Sequence, residues 1–221
     1  MMDTVDNFDT LRNILEFPTK DIFYVISIIQ RPKDFPEGFS ERKHKEHFVK
    51  HYFVRSVKEL DDLKPKIIEC CKLYNARAYL GLDAKNIKKV ISKTIQDEAE
   101  LLLLDGEQAI SRYKKNYHSI CRQKECSESS LRYVHLDLDR SGTEGYDLAL
   151  DLEARLLEFS HRWRVLNSPN GYHFIAKIRS DEGNVNIQEL GNFLKKYREE
   201  NSLEDTELEM KMNSMVVLYK G

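Results

Sequence analysis

The chain has 221 residues, of which 41% are hydrophobic and 33% charged, with four cysteines and a formal net charge of −2. This composition excludes a disordered or collagen-like chain, and four cysteines at this length do not suggest a disulfide scaffold. The sequence shows neither a secretory signal pattern nor an apolar run of about 20 residues. We therefore expect a globular, cytoplasmic protein with no membrane association.

Apolar periodicity and turn residues predict an N-terminal α/β lobe over residues 1–125. Its predicted elements are a short helix within residues 1–20, strands over residues 21–30 and 47–55, a helix from residue 56 to about 74, a strand over residues 76–82 and a final helix. Ser56 and Glu59 form a capping box for the second helix. Asp83 is predicted to cap the third helix, with Ile87, Val90, Ile91 and Ile95 on one face; this helical region extends to about residue 118.

The second half, residues 126–221, has the pattern of one sheet with two helices on one of its faces. Its predicted elements are a strand over 131–138, a loop over 141–145, a helix over 146–161, a hairpin of 164–166 and 172–178, a helix over 185–201 and a strand or bent pair within 207–219. This β-α-β-β-α-β order is the ferredoxin-like, or RRM-like, arrangement. Its first and third strands are central, and one sheet face is left open for a site. We expect both lobes to form one compact unit.

Two carboxylates lie on the first strand of this arrangement. Because side chains alternate along a strand, His135, Asp137 and Asp139 share the open face while Val134 and Leu136 point to the helices. Paired carboxylates can hold Mg²⁺ together with substrate phosphates. The alternative is a chance pair of exposed acids on an amphipathic strand.

His173 and Lys177 share one face of the adjacent predicted strand. Beside a metal held by Asp137 and Asp139, they could donate to the phosphates of a nucleoside triphosphate, with Arg140 as a further cation. A structural strand histidine is the alternative for His173.

These residues resemble the motifs of the archaeo-eukaryotic primase superfamily, which includes primases and primase-polymerases. Its first motif, hydrophobic-Asp-hydrophobic-Asp on a strand, is similar to the segment that ends in Asp137-Leu-Asp139. Its second, a small residue, any residue and His, is similar to Gly171-Tyr-His173, with Gly where Ser is usual. The resemblance covers roughly residues 130–219 and, less specifically, the first lobe. It implies an RRM-like palm, nucleotidyl transfer with Mg²⁺ or Mn²⁺, and catalytic roles for Asp137, Asp139 and His173.

The sequence departs from this family at its third motif, a strand with another metal-binding acid. Asn213 stands where the acid belongs, and its amide oxygen supplies no negative charge. Glu207 and Glu209 have the same strand parity and could partly substitute. Two interpretations stay open: an active enzyme that uses Glu209 as well as Asn213, or a member that has kept the fold and lost the chemistry.

A basic stretch with two tyrosines, residues 111–124, suits a single-stranded template. Its cations are Lys114, Lys115, Arg122 and Lys124. A solvated linker is the alternative. Arg77 is a further candidate for nucleic-acid contact, with buried ion pairing as its alternative. His118, Cys121 and Cys126 allow a zinc site at irregular spacing, with free thiols as the alternative.

The sequence therefore favours a primase-like nucleotidyltransferase that takes an NTP or dNTP and a single-stranded DNA or RNA template. Since the Gly-x-x-x-x-Gly-Lys-Ser/Thr motif of a fused P-loop helicase is missing, a helicase or another replication protein would be supplied in trans. The first alternative is a catalytically inactive nucleic-acid-binding or replication-accessory protein on the same scaffold. A second is a metal-dependent nuclease or rolling-circle initiator, which would need a His-hydrophobe-His pair and a helical tyrosine nucleophile.

Overall fold

The chain folds as mixed helices and antiparallel sheets, as the sequence predicts. The structure is a computed structural model that describes residues 4–35, 46–104, 106, 108, 123–128, 130–159, 163–180, 183–212 and 214–221. Within these residues, no helix is long and apolar enough to cross a membrane.

The first sheet has six strands built around a strand that is buried on both faces. Its members are β1 (Val5–Asp6), β2 (Ile22–Gln30), β3 (His47–Val54), β4 (Arg77–Gly81), β5 (Lys85–Asn86) and β12 (Met215–Lys220). Their order is β1-β12-β4-β2-β3, with β5 also paired to β2. The β-branched and aromatic run of β2 suits this double burial. Its core includes residues of helices α1 (Phe8–Arg12) and α2 (Val57–Tyr74).

Helix α3 (Ile87–Leu101) begins later than predicted. Its N-cap is Asn86, whose side chain accepts from the backbone N–H groups of Lys88 and Lys89, and not Asp83. The reason is long-range: β5 pairs with β2, which keeps residues 85 and 86 extended. The apolar stripe of α3 is also more exposed than an amphipathic pattern suggests, since Ile91 and Ile95 are exposed.

The second sheet has four antiparallel strands in the order β11-β6-β8-β7. They are β6 (Tyr133–Leu138), β7 (Arg164–Ser168), β8 (Gly171–Lys177) and β11 (Leu208–Met212). Helices α4 (Gly142–Leu156) and α5 (Ile187–Glu200) bury their apolar stripes against one face of this sheet, in a core that contains Val134, Leu136 and Leu138. A short ribbon of β9 (Arg179–Ser180) and β10 (Gly183–Asn184) precedes α5.

Two details of the second half differ from prediction. Residues 142–145 belong to α4 and not to a loop; of these, Gly145 is buried closely against the Arg140 backbone, whereas residues 142–144 are exposed. Residues 207–219 form two strands of different sheets: β11 pairs with β6, whereas β12 crosses to pair with β1 and β4.

This crossing joins the two halves. Tyr133 and Ile175, from the second sheet, are buried in the same core cluster as the first-lobe residues Tyr24 and Leu80. The open face of β6 and β8 therefore meets the first lobe along part of its length, and a cleft remains at the end that carries the acidic residues.

Candidate active site

Strand register brings the two predicted catalytic motifs together. Asp137 lies directly opposite His173 in the β6–β8 ladder, and opposite Glu209 in the β6–β11 ladder. Side-chain parity follows the prediction: Leu136 and Leu138 are fully buried beneath α4 and α5, whereas Asp137 faces the cleft. The site therefore stands on the two central strands of a sheet, which hold it rigidly.

A cluster of two imidazoles and a carboxylate forms the centre of the site. His173 Nε2 lies 3.1 Å from Asp137 Oδ1. The His135 ring lies edge-on to the His173 ring, with centroids 4.5 Å apart. Potential ligand atoms of His135, Asp137 and His173 all lie within 4.8 Å of one another. We call these three residues the His–Asp–His triad.

The triad is buried and incompletely hydrogen-bonded. His135 is 1% and His173 6% exposed. Three buried atoms have no hydrogen-bond partner among the described residues: His135 Nε2, His173 Nδ1 and Asp137 Oδ1. The contact of Asp137 Oδ1 with His173 Nε2 at 3.1 Å is an ion-pair distance and is not counted among these hydrogen bonds. Buried polar atoms in native proteins are nearly always paired. Two imidazole nitrogens and a carboxylate oxygen without hydrogen bonds in one place indicate a site that binds a ligand.

Charge in the site is set by burial and by a neighbouring lysine. Burial, with a smaller contribution from His173, lowers the pKa of His135 to about 3, so that this ring is neutral at pH 7. Burial alone would raise the pKa of Asp137, but contacts with His173 and Lys211 hold it well below its usual range. Asp137 is therefore an anion at neutral pH.

Lys211 contacts this anion from β11. Its Nζ donates to Asp137 Oδ2 at 2.7 Å and lies 2.6 Å from Glu209 Oε2. Burial opposes its charge, yet the two carboxylates raise the pKa of Lys211 above its usual value. Glu209, the predicted substitute for the third acid, is thus engaged by Lys211.

A cavity of about 280 Å³ opens onto the triad. Asp139 lines it at the exposed end of β6, as does the β7–β8 turn at residues 168–170. The opposite wall comes from the first sheet. There Arg31 Nε donates to the Tyr79 hydroxyl at 3.1 Å and the guanidinium stacks over the Tyr79 ring, while Arg77 lies beside them.

Arg77 is held by a buried ion pair. Its Nε donates to Asp34 Oδ2 at 2.8 Å, and both residues are at most 8% exposed. Buried ion pairing is the alternative to nucleic-acid contact that the sequence left open for Arg77. The residue also lines the cavity.

Two predicted phosphate-binding cations lie outside the cavity lining. Lys177 points along the same face as His173, but its Nζ is 2.6 Å from Glu16 Oε2. Arg140 bridges Glu207 and Glu144, each at 2.7 Å.

Several predicted residues lie outside the described part of the chain: Asn213, Lys114, Lys115, Arg122, His118 and Cys121. The side chain of Lys124 is also outside it. Cys126 is buried and free.

Gly171, the small residue of the second motif, is required by close packing. A Cβ at this position would lie 1.9 Å from the Leu138 carbonyl oxygen and 2.8 Å from the Arg140 backbone nitrogen. Serine could not occupy this position without moving β8 away from β6. The glycine at this position therefore has a local physical reason.

Sequence reasoning left four residues of the site without a role: His135, Lys211, Ser214 and Arg31. The parity of His135 with Asp137 was a usable signal. Lys211 has the strand parity of Glu209, which indicated its face, but its contact with Asp137 depends on the register of β11 with β6; Ser214 carries no such signal. His135 Nδ1 lies 2.6 Å from Ser214 Oγ, just beyond the end of β11.

Comparison with known proteins gives no match: no family model, no curated protein and no solved structure is similar to this chain at significance. Functional inference therefore rests on the site itself.

Proposed function

We propose that the protein is a metal-dependent nucleotidyltransferase of the primase-polymerase kind, joining nucleotides on a nucleic-acid template. The observation that carries this proposal is that Asp137, Asp139 and His173 line one cavity that also contains the cationic side chains of Arg31 and Lys211. Carboxylates for a divalent cation and cations for phosphates are the two components that phosphoryl chemistry requires.

The architecture supports the same proposal. The strand order β11-β6-β8-β7, with α4 and α5 on one face, is compatible with an RRM-like palm, and the first lobe supplies the opposite wall of the cleft. The acids lie on the face opposite the helices, where a palm needs its site.

The donor set fits a divalent cation. Asp137 is ionised, its Oδ1 is approached only by His173 Nε2 among the described residues, and Asp139 lies two residues further along the chain, just past the end of β6. Together they would hold Mg²⁺ or Mn²⁺, which when bound would neutralise charge on the α-phosphate of an incoming NTP or dNTP.

The chain's own groups would perform the remaining work. His173, Lys211 and Arg31 would contact phosphate oxygens and offset their charge, and the rigid strands β6 and β8 would fix the acids for in-line attack. Glu209 would become a further metal ligand only if Lys211 released it. A single-stranded template, and a helicase in trans, complete the proposal.

Template-dependent extension of a labelled primer, with Mg²⁺ or Mn²⁺, tests this function. Asp137→Asn with Asp139→Asn should abolish extension while the protein stays folded, because both residues face the cleft and not the core; loss of the Asp137 contacts with His173 and Lys211 should lower the melting temperature. Asp147→Asn with Asp151→Asn, both on the exposed face of α4, is the charge-matched control and should retain full activity. Full activity in a folded double variant would refute the metal-site assignment.

One observation favours the catalytically inactive alternative. The Lys211 ammonium forms ion pairs with both Asp137 and Glu209, and so occupies the position that a metal ion would take beside these carboxylates. If the wild-type protein binds single-stranded DNA or RNA but extends no primer with either metal, the accessory function is the better assignment.

A further inference from the structure

We propose that the His–Asp–His triad is a transition-metal site, in which His135, Asp137 and His173 bind one Mn²⁺, Zn²⁺ or similar ion directly. The inference deepens the proposed function and rests on it for the reaction served; it makes His173 a metal ligand in place of a phosphate contact. The metal site itself follows from side chains on three adjacent positions of the sheet.

The first argument is the set of unpartnered atoms. His135 Nε2, His173 Nδ1 and Asp137 Oδ1 are all buried and lack hydrogen-bond partners among the described residues. Each can offer a lone pair to a metal, and all belong to residues whose ligand atoms cluster within 4.8 Å. Ligands that share one ion lie about 3 Å apart, given bond lengths near 2.1 Å.

The second argument is ligand chemistry. Mg²⁺ prefers oxygen ligands and retains several waters, whereas imidazole nitrogen suits Fe²⁺, Ni²⁺ and Zn²⁺, and Mn²⁺ is the most weakly bound of the divalent transition metals at such a site. Two histidines and one carboxylate on one side of an ion leave its other positions open to substrate or water. The triad therefore selects a transition metal over Mg²⁺.

The third argument is that outer partners already orient two of the three ligands. His135 Nδ1 is 2.6 Å from Ser214 Oγ; with Nδ1 as the donor, Nε2 keeps its lone pair for the metal. Lys211 Nζ contacts Asp137 through Oδ2 alone, which leaves Oδ1 on the side of His173. Metal-bound histidines and carboxylates usually have such partners.

Asp139 has a different place in this arrangement. It lies at the exposed end of β6, beyond the triad, and would serve the substrate-linked cation of the proposed reaction. Occupation of the triad in the absence of nucleotide does not require Asp139. This separation lets one set of variants test the two proposals independently.

The test uses the full-length protein after chelator treatment. Titration calorimetry should show one Mn²⁺ site, and one Zn²⁺ site, at least about tenfold tighter than any Mg²⁺ site. Electron spin echo measurements on the Mn²⁺ complex should show modulation from directly bound ¹⁴N. His135→Gln should lower Mn²⁺ affinity about tenfold or more and weaken the ¹⁴N signal, and Ser214→Ala should lower the affinity by about tenfold.

His47→Gln is the matched control, since His47 is exposed on β3, away from the cavity. It should leave Mn²⁺ affinity unchanged. Should His135→Gln fail to fold, the ¹⁴N signal of the wild type and the affinity of Ser214→Ala still decide the question. Equal affinities for Mg²⁺ and Mn²⁺, or a Mn²⁺ complex without ¹⁴N modulation, would overturn the transition-metal site.

Asp139→Asn separates the two proposals. It should abolish primer extension yet keep the ¹⁴N signal of bound Mn²⁺. If no variant or metal supports extension but the ¹⁴N signal depends on His135, the metal site stands and the proposed reaction fails. If extension occurs equally with Mg²⁺ and is indifferent to His135→Gln, the proposed function stands and the triad fails.

Discussion

Lys211 reaches across from β11 so that its Nζ lies 2.7 Å from Asp137 Oδ2, with Glu209 Oε2 at 2.6 Å on its other side. One ammonium thus bridges the predicted metal ligand and the predicted substitute for the third acid. A like charge beside a cation site weakens cation binding. We therefore expect Lys211 to weaken metal binding at the proposed site.

Lys211→Met should raise the affinity for Mn²⁺ by about tenfold, equivalent to about 1.4 kcal/mol, because it removes this charge and releases both carboxylates. Calorimetric titration measures the effect. Lys196→Met, on exposed α5, is the control that should show no change. Unchanged or weaker Mn²⁺ binding in Lys211→Met would show that the lysine orients Asp137 more than it repels the metal.

The sequence predicts the elements of the second half well because their patterns are local. Alternation along β6 places Asp137 on the face opposite Leu136, and the hairpin of β7 and β8 surrounds a Pro-Asn turn as expected. Parity and motif order are enough to predict Asp137, Asp139 and His173 as one group.

Long-range pairing explains what local patterns could not predict. Strands β11 and β12 are only two residues apart in sequence. Nevertheless β12 pairs with β1 and β4, which lie far earlier in the chain. The same holds for Lys211, whose contact with Asp137 depends on the β11–β6 register. Lys177 shares a face with His173 but is neutralised by Glu16, a contact between the halves.

Gly171→Ala should destabilise the protein by about 1–3 kcal/mol, because its Cβ would overlap the Leu138 carbonyl oxygen. Since β8 would shift relative to β6, we also expect weaker metal binding at Asp137 and His173. Urea unfolding and Mn²⁺ titration measure the two effects. Gly191→Ala on α5 is the control: its Cβ meets only Met210 Cε at 3.8 Å, so the free energy of unfolding should stay equal or rise by up to about 1 kcal/mol. Equal stability of both variants would contradict the close approach at Gly171.

The basic stretch makes a prediction about salt dependence. Replacing Lys114, Lys115, Arg122 and Lys124 with Ala should weaken single-stranded DNA or RNA binding, and each lost phosphate contact should reduce the log–log salt slope by about 0.7. Fluorescence anisotropy at several salt concentrations measures this slope. A charge-matched control replaces four exposed lysines elsewhere: Lys58, Lys66, Lys195 and Lys196. The same slope in wild type and the basic-stretch variant would mark that stretch as a solvated linker.

Variants of Arg77 test whether this cation of the cavity wall stabilises the fold or contacts nucleic acid. Arg77→Met should lower the free energy of unfolding by about 3–5 kcal/mol, because it leaves the Asp34 carboxylate buried without its partner. Adding Asp34→Asn should recover most of this loss, since the amide oxygen can still accept from the Arg31 backbone N–H while the unpaired charge is gone. Urea unfolding of the single and double variants measures both steps.

A role in nucleic-acid contact gives the opposite pattern. If Arg77 contacted a template phosphate, the double variant would regain stability but still bind single-stranded DNA more weakly, with a salt slope smaller by about 0.7. Because the guanidinium donates to Asp34 through both Nε and Nη2, we expect the double variant to bind DNA like the wild type. Arg31, which stacks on Tyr79 in the same wall and is paired with Glu46, is then the remaining first-lobe cation among the described residues of the cavity lining.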